Sequence, residues 1–280
     1  MRPFLDTPSA GPVRSRSRAL DQFYTRPEVA RDCVARVRAF VRDLGWSVAW
    51  IEPSAGDGAF LQFLPEPRIG LDIAPARQGI ECADFLTWRP KPTEARIVVV
   101  GNPPFGKNAS VAVRFFNHAA RFADIVAFVV PRTFQKDSTK TKLAQSMSLA
   151  FEMSLGPDGF LFDGQPYDVP TVFQVWRRDA AAGTARREPS LRTHPHFAFL
   201  RTPAEADFAF QRVGARAGLV SLEGLRKSPQ SHYFIQVITP DIDVMAVLRS
   251  VDWSPLKHRT AGNPSIGKAE LIGEYVRAVR

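Results

Sequence analysis

The chain has 280 residues, enough for one substantial domain and a smaller one. Its 45% apolar and 23% charged residues are typical of a soluble globular protein, and the longest purely apolar run, residues 125–130, is too short to span a bilayer. The net charge of +9 comes from the two flanks, since residues 27–180 are nearly neutral, and it suits either a polyanionic partner or simple solubility.

The N-terminus mixes Pro, Ser and Arg and lacks the apolar core of a secretory signal. With its alternating "RSRSR", residues 1–20 are predicted to form a flexible basic arm. Only two cysteines are present, Cys33 and Cys82, and they offer neither a disulfide framework nor a metal-ligand spacing. We therefore expect a cytoplasmic protein without a metal site.

Short strands and helices alternate after this arm. A helix is predicted from Pro27, with apolar residues near four-residue spacing and Gly45 as its end. The predicted strands are 47–53, 68–73, 95–101, 124–131, 151–155 and 171–178, with a helix at 110–123. This alternation predicts an α/β domain with a mostly parallel sheet that is buried on both faces.

A small, charged and aperiodic segment, 177–190, is predicted to be a domain linker. Beyond it, strands at 196–201 and 232–238 and helices near 204–217 and 241–250 predict a compact α+β module. Residues 181–280 hold 14 basic and nine acidic side chains, so this module carries a basic surplus.

The first predicted strand runs into a glycine turn, Gly56-Asp57-Gly58, which suits a sharp bend that lets a ligand approach the backbone. The next strand ends on Asp72, where a carboxylate can accept hydrogen bonds from the ribose of an adenosine ligand. The three spaced glycines of the dinucleotide fingerprint are absent, and Glu52 before the turn would repel a pyrophosphate. Because Glu52 would favour an ammonium group, we expect S-adenosylmethionine rather than NAD as cofactor.

A third element contains Asp84 and Phe85 in "ECADFLTW". A carboxylate beside an aromatic ring can bond an adenine amino group and stack on the face of the base. A polar loop followed by a core phenylalanine is the plainer alternative.

The strand at 95–101 ends in Asn102-Pro103-Pro104-Phe105. The exocyclic amine of adenine is a poor nucleophile because its lone pair is delocalised into the ring. The side-chain carbonyl of Asn102 and the backbone carbonyl of Pro103 can accept its two hydrogens and weaken that delocalisation. The prolines hold these acceptors in place, and Phe105 can stack on a flipped base. A proline-rich loop whose phenylalanine fills the core is the alternative.

With these motifs, residues 20–178 resemble the S-adenosylmethionine-dependent amino-methyltransferases, and among them the adenine-N6 enzymes of nucleic acids. "EPSAGDG" resembles their cofactor loop, "LDI" the ribose acid, "DF" the adenine contact and "NPPF" the catalytic motif. The resemblance implies a Rossmann-like class I methyltransferase sheet with helices on both faces, plus the small C-terminal α+β module. It also implies that Tyr24 and Thr25 lie near the methionine end of the cofactor and that Phe162 lines the target-base pocket.

We therefore expect a catalytic domain at 21–180 and a small basic substrate-binding module at 190–280. Lys107 and Lys136 are candidate phosphate contacts, with solvated helix ends as the alternative. The expected reaction is methyl transfer to N6 of adenine in nucleic acid, DNA slightly preferred over RNA, with no membrane partner. Methylation of a protein glutamine and a nucleic-acid-binding subunit without catalysis stay open as alternatives.

Overall fold

The computed structural model describes residues 24–156, 159–162, 165–179, 193–260 and 262–280. The predicted arm at 1–20 and most of the predicted linker at 177–190 lie outside these residues. The described helices are α1 (Pro27–Asp43), α2 (Ser110–Ala119), α3 (Asp137–Lys140), α4 (Val244–Ser250), α5 (Ser254–Lys257) and α6 (Lys268–Ala278). The described strands are β1 (Tyr24–Thr25), β2 (Val48–Glu52), β3 (Arg68–Asp72), β4 (Ile80–Cys82), β5 (Arg96–Gly101), β6 (Ile125–Pro131), β7 (Met147–Ser154), β8 (Phe160–Phe162), β9 (Gln165–Tyr167), β10 (Thr171–Arg178), β11 (Phe197–Leu200), β12 (Phe208–Gln211), β13 (Val220–Ser221) and β14 (His232–Val237).

The largest sheet within the described residues has seven strands in the order β4-β3-β2-β5-β6-β10-β7. The strands from β4 to β6 run parallel, and β10 is antiparallel to both of its neighbours. Because the chain crosses over after β4 to place β5 beside β2, the strand order reverses between β2 and β5. In open sheets of this kind, ligands bind at the carboxyl ends of the strands near such a reversal.

Both faces of this sheet are covered, as the apolar strands require. Val98 and Val100 of β5 pack with α1, whereas Ile97 and Val99 pack with α2 on the opposite face. This is the Rossmann-like α/β architecture of the class I methyltransferase fold, and the predicted fold class is confirmed.

Helix α1 begins as the sequence predicts, with Pro27 at its first position. Its buried face repeats at the helical spacing, with Cys33, Val37 and Val41 each 4% exposed or less. The chain turns out of the helix through Gly45, whose φ is +67°.

A three-stranded sheet, β1-β8-β9, lies beside the main one. Tyr24 pairs with Leu161 and Thr25 with Phe160 in antiparallel register. This pairing fixes the backbone of Tyr24 and Thr25, the two residues expected near the methionine end of the cofactor.

The C-terminal part forms a four-stranded antiparallel sheet, β11-β14-β12-β13, with a core of its own that includes α4 and α6. The predicted helix near 204–217 is wrong, because this stretch contains β12. Phe208 and Phe210 lie on one face of that strand, are each 1% exposed or less, and pack into the module core. Gly214 and Gly218 then take φ values of +99° and +104°, which a helix does not allow.

Within the described residues, no helix has both the length and the apolar character that crossing a membrane requires.

Candidate active site

A cavity of about 470 Å³ opens where β2, β3, β4 and β5 end. Its walls come from five separate parts of the chain, namely 24–25, 52–60, 72–73, 83–86 and 102–115. The sequence-predicted residues among its lining are Tyr24, Thr25, Glu52, Gly56, Asp72, Asp84, Phe85, Asn102, Pro103, Pro104 and Phe105. The fold therefore brings the predicted cofactor motifs and the predicted catalytic motif into one site.

The glycine turn is fixed by the carboxylate of Asp72. One oxygen of Asp72 accepts a hydrogen bond from the backbone N–H of Gly56 and the other from that of Ala74, both at 2.8 Å. Gly56 has a φ of +55°, and a Cβ atom there would lie 3.2 Å from the Tyr24 ring. Gly58 has a φ of +87° and supports the turn from outside the cavity lining.

Glu52 is the most deeply buried acid of the cavity, at 1% exposure. Burial raises its pKa well above the usual value, and the charges of Asp57 and Asp72 raise it further. Its Oε2 accepts a hydrogen bond from the backbone N–H of Leu61 at 2.7 Å, which acts in the opposite direction. A cationic ligand group would compensate the ionised form of this side chain.

The polar lining favours a cationic ligand over an anionic one. It contains four carboxyl groups and, among the residues that the structure describes, no Lys or Arg. The acids of the lining are Glu52, Asp57, Asp72 and Asp84. A pyrophosphate would meet repulsion here, whereas an ammonium or a sulfonium would be stabilised.

Thr25 offers a buried polar group that fits such a ligand. The residue is 4% exposed, and its Oγ1 has no hydrogen-bond partner within the described part of the chain. A buried hydroxyl without a partner is costly unless a ligand supplies one. Next to it, burial raises the pKa of Tyr24, with added contributions from Asp57 and Asp72.

Phe85 packs in the core and also lines the cavity. Its ring is 1% exposed and packs on Phe115 at 5.3 Å and against the edge of His118 at 4.9 Å. The core packing of the plainer alternative is therefore present, and contact of this ring with adenine stays a prediction. Asp84 remains exposed, with Oδ1 accepting from the N–H of Leu86 at 2.9 Å.

Two further cavity residues were not singled out from the sequence. Ile73 lines the cavity with 61% of its surface exposed, directly after the strand-end acid Asp72. In the sequence, only its position directly after Asp72 pointed to the cavity, because the exposure of a side chain at a strand end is not visible in a local pattern. Ser54 donates a hydrogen bond from Oγ to the backbone carbonyl of Asn102 at 3.0 Å, which ties the cofactor loop to the catalytic motif.

The Asn-Pro-Pro-Phe segment is held at both ends. Ser54 binds the Asn102 carbonyl, and the Phe105 carbonyl accepts the backbone N–H groups of Val111 and Ala112 at the start of α2. The side-chain oxygen of Asn102 is shielded from solvent, and Phe105 is 9% exposed.

The segment after Phe105 has an unusual backbone. Gly106, Asn108 and Ala109 all have positive φ values, of 68°, 55° and 61°. The left-handed region is uncommon for residues other than glycine and stores strain.

Three predicted substrate contacts are not part of the cavity lining. Lys107 is exposed in the short 3-10 turn that follows Gly106. Lys136 instead donates from Nζ to the carbonyl and hydroxyl of Ser265 at 2.9 and 3.2 Å and pairs with Glu270 at 3.4 Å. This side chain is 13% exposed, so it serves a contact with the C-terminal module. Phe162 ends strand β8, and its side chain lies outside the described part of the chain.

Comparisons with known proteins find distant structural similarity only. No family model and no curated protein matches the sequence. One similar solved structure is a Pyrococcus horikoshii protein described as an RNA methyltransferase, with 14% identity, a TM-score of 0.42 and coverage of 57% of this chain and 88% of that one.

Two other similar structures are also described as methyltransferases. A S-adenosylmethionine-dependent methyltransferase from Clostridium acetobutylicum shares 5% identity over 55% of this chain and 93% of its own, with a TM-score of 0.40. The magnesium protoporphyrin IX methyltransferase of Synechocystis, solved with bound SAM, shares 13% identity over 54% and 80%, with a TM-score of 0.36. At these scores the likeness carries no argument about activity, and the fold assignment rests on the strand order.

Proposed function

We propose that this protein transfers a methyl group from S-adenosylmethionine to N6 of adenine in nucleic acid, with DNA slightly preferred over RNA. The observation that carries the proposal is the convergence of an acid-lined cavity and the Asn-Pro-Pro-Phe segment at one edge of the sheet. An acid-lined cavity suits a cationic cofactor, and the adjoining segment suits an amine acceptor.

The cavity residues divide between the two ends of the cofactor. Glu52 and Thr25 would meet its amino-acid tail, since the carboxylate compensates an ammonium and the hydroxyl lacks a partner among the described residues. Asp72 would accept from the ribose hydroxyls, and Asp84 and Ile73 would contact the adenine. When bound, the cofactor supplies an electrophilic methyl group on a sulfonium.

The target amine would be oriented by Asn102 and Pro103. Their carbonyl oxygens accept its two hydrogens, which weakens the delocalisation of the nitrogen lone pair into the ring. No strong general base is needed, because the nitrogen loses its proton after it has become cationic. Since the Asn102 side-chain oxygen is shielded, entry of the base has to uncover it, and Phe105 lines the path.

The test is transfer of a labelled methyl group to DNA, RNA and protein substrates, followed by nucleoside analysis of the product. We expect N6-methylated adenine in nucleic acid. Label found in protein alone would contradict the proposal and favour glutamine methylation. Binding of nucleic acid without any transfer would favour a subunit that has lost catalysis.

A substitution tests the acceptor role. Asn102→Ala removes one of the two acceptors, so we expect loss of transfer with cofactor affinity kept within about tenfold. The control is Asn263→Ala, the same change in the other Asn-Pro dipeptide of the chain, which lies exposed in the C-terminal part. Methyl transfer at the wild-type rate by Asn102→Ala would contradict the proposed role of this side chain.

A further inference from the structure

Two positively charged side chains lie near one aromatic ring of the C-terminal module. The guanidinium carbon of Arg212 is 4.9 Å from the centre of the Tyr233 ring, and Nζ of Lys268 is 5.5 Å from the same centre. Lys268 also lies 4.5 Å from the centre of the Phe199 ring. Burial lowers the pKa of Lys268, and the charge of Arg212 lowers it further, as expected for two neighbouring cations.

Neither cation is neutralised by the protein. Within the described residues, no carboxylate forms an ion pair with Arg212 or Lys268, and the Nε of Arg212 is buried without a hydrogen-bond partner. The Arg212 side chain donates a hydrogen bond to the Tyr233 hydroxyl and makes a long contact with the carbonyl of Gln230 at 3.3 Å. The neighbouring acid, Glu270, binds Lys136 and the backbone N–H of Gly267 through Oε2, and its buried Oε1 has no hydrogen-bond partner among the described residues.

The backbone keeps these two cations together. The N–H of Ile266 donates to the carbonyl of Arg212 at 2.9 Å, and the hydroxyl of Tyr233 reaches the carbonyl of Ile266 at 3.4 Å. The end of β12 and the start of α6 are therefore joined through Ile266, two residues before Lys268. The charge of Arg212 lowers the pKa of Lys268, so the two cations repel each other, and their cation–π contacts with Tyr233 offset only about 0.5–2 kcal/mol.

Such a pair is suited to a phosphate group. The planar guanidinium matches two phosphate oxygens at once, and an ammonium adds a second charge-assisted hydrogen bond. A phosphate would neutralise the repulsion between the two cations.

The pair also lies on the part of the module that contacts the catalytic sheet. Ser265 forms a β-bridge with Val213 shortly before α6, and its carbonyl and hydroxyl accept from Lys136. Lys136 follows β6 closely, and β6 ends at the same edge of the sheet as β5, which leads into Asn102. A polyanion that reaches the cavity can therefore extend toward this module.

We propose that Arg212 and Lys268 bind a backbone phosphate of the nucleic acid whose base enters the cavity. This inference rests on the proposed function, because it takes nucleic acid as the substrate. Contacts of this kind position the strand and carry no sequence information.

The test compares two charge-neutralising double variants. Arg212→Gln with Lys268→Gln removes the proposed contact, and Arg226→Gln with Lys227→Gln removes the same charges from exposed positions of the same module. Binding of labelled DNA and RNA oligonucleotides is measured by fluorescence anisotropy at increasing salt concentration. Charge-conserving Lys268→Arg, together with thermal melts of every variant, separates loss of the contact from loss of the fold.

For the first double variant we expect a Kd about ten- to a hundredfold higher at low salt. The slope of log Kd against log salt concentration should fall by about one for each cation removed. The control pair should change the Kd and the salt dependence less than the first double variant does, and Lys268→Arg should keep the wild-type salt dependence. In the control pair, transfer and cofactor affinity stay at wild-type values.

An unchanged salt dependence in the first double variant, or an equal loss in the control pair, would overturn the inference. These outcomes are distinct from failure of the proposed function. Wild-type protein that methylates adenine while the first double variant binds normally would contradict the phosphate site alone. Wild-type protein that labels only protein would contradict the proposed function.

Discussion

At the scale of single residues, the burial of Glu52 makes cofactor binding depend on pH if this side chain meets the ammonium group as proposed. Burial raises its pKa above 4.5, the ordinary value of a glutamate, so the ligand-free site holds a neutral carboxyl over part of the acidic range. An ammonium group favours the ionised form, and binding of the cofactor therefore lowers this pKa. Protons released on binding make the affinity depend on pH.

Cofactor affinity is expected to rise with pH until the raised pKa of Glu52 is passed, because above that pH the ligand-free site already holds the ionised carboxylate. Glu52→Gln should bind more weakly and with a flatter pH profile. Calorimetric titration at several pH values measures both. Glu94→Gln, at an exposed position, serves as the control and should keep the wild-type profile. If cofactor affinity rises with pH as steeply in Glu52→Gln as in the wild type, the pH dependence belongs to another group.

The sequence was sufficient to identify residues whose type and local position define their chemistry. Gly56, Asp72 and Asn102 each follow or end a strand, so their convergence at one sheet edge could be predicted. The role of Lys136 could not, because its partner Glu270 lies 134 residues away. The core packing of Phe85 could not be decided from the sequence for a related reason, since the Phe115 ring that packs on it comes from α2, elsewhere in the chain.

At the scale of elements, the turn between Phe105 and α2 limits where the aromatic residue can lie. Gly106 has a φ of +68°, and a Cβ atom there would lie 2.3 Å from Cγ2 of Val111. The Phe105 carbonyl that precedes it accepts the first N–H groups of α2. The helix start and the catalytic segment therefore share one backbone arrangement.

Gly106→Ala is expected to lower the free energy of unfolding by about 1–3 kcal/mol and to reduce transfer more than cofactor binding, because relief of the clash moves Phe105. Denaturant unfolding and single-turnover transfer measure the two effects. Gly45→Ala is a matched control, with a φ of +67° and open space around its Cβ position. It should cost about 1 kcal/mol and leave transfer unchanged. Equal transfer in both variants would contradict the proposed constraint.

Local patterns predicted the elements of the main sheet better than those of the C-terminal module. Val98 to Val100 are buried on both faces of the sheet and form an unbroken apolar run. In β12 three consecutive apolar residues, 208–210, are buried, and so short a run is compatible with a strand or with part of a buried helix. Antiparallel pairing with β14, formed by residues 232–237, makes this stretch a strand rather than a helix. A local sequence pattern contains no information about that distant partner.

At the scale of the whole molecule, a buried ion pair joins the main sheet to the C-terminal module. The side chains of Lys136 and Glu270 are 13% and 6% exposed, and the ammonium also binds Ser265. Removing one partner of such a pair leaves the other charge buried without compensation, which costs more than the pair contributes.

Lys136→Met is therefore expected to lower the free energy of unfolding by about 3 kcal/mol. The double variant Lys136→Met with Glu270→Gln should recover part of this loss, because it removes the second charge as well. Chemical denaturation of both variants measures the difference, with exposed Lys142→Met as the control. A double variant that is less stable than Lys136→Met would show that the acid stabilises the fold through its cap on α6 rather than through the pair.

The same contact has a consequence for the order of folding during synthesis. Glu270 lies in α6, 134 residues after Lys136, so the segment after β6 gains this anchor only when α6 has left the ribosome. Until then the edge that carries Asn102 can form its sheet, but Lys136 lacks its carboxylate partner. Anchoring of this segment is thereby tied to synthesis of the C-terminal module.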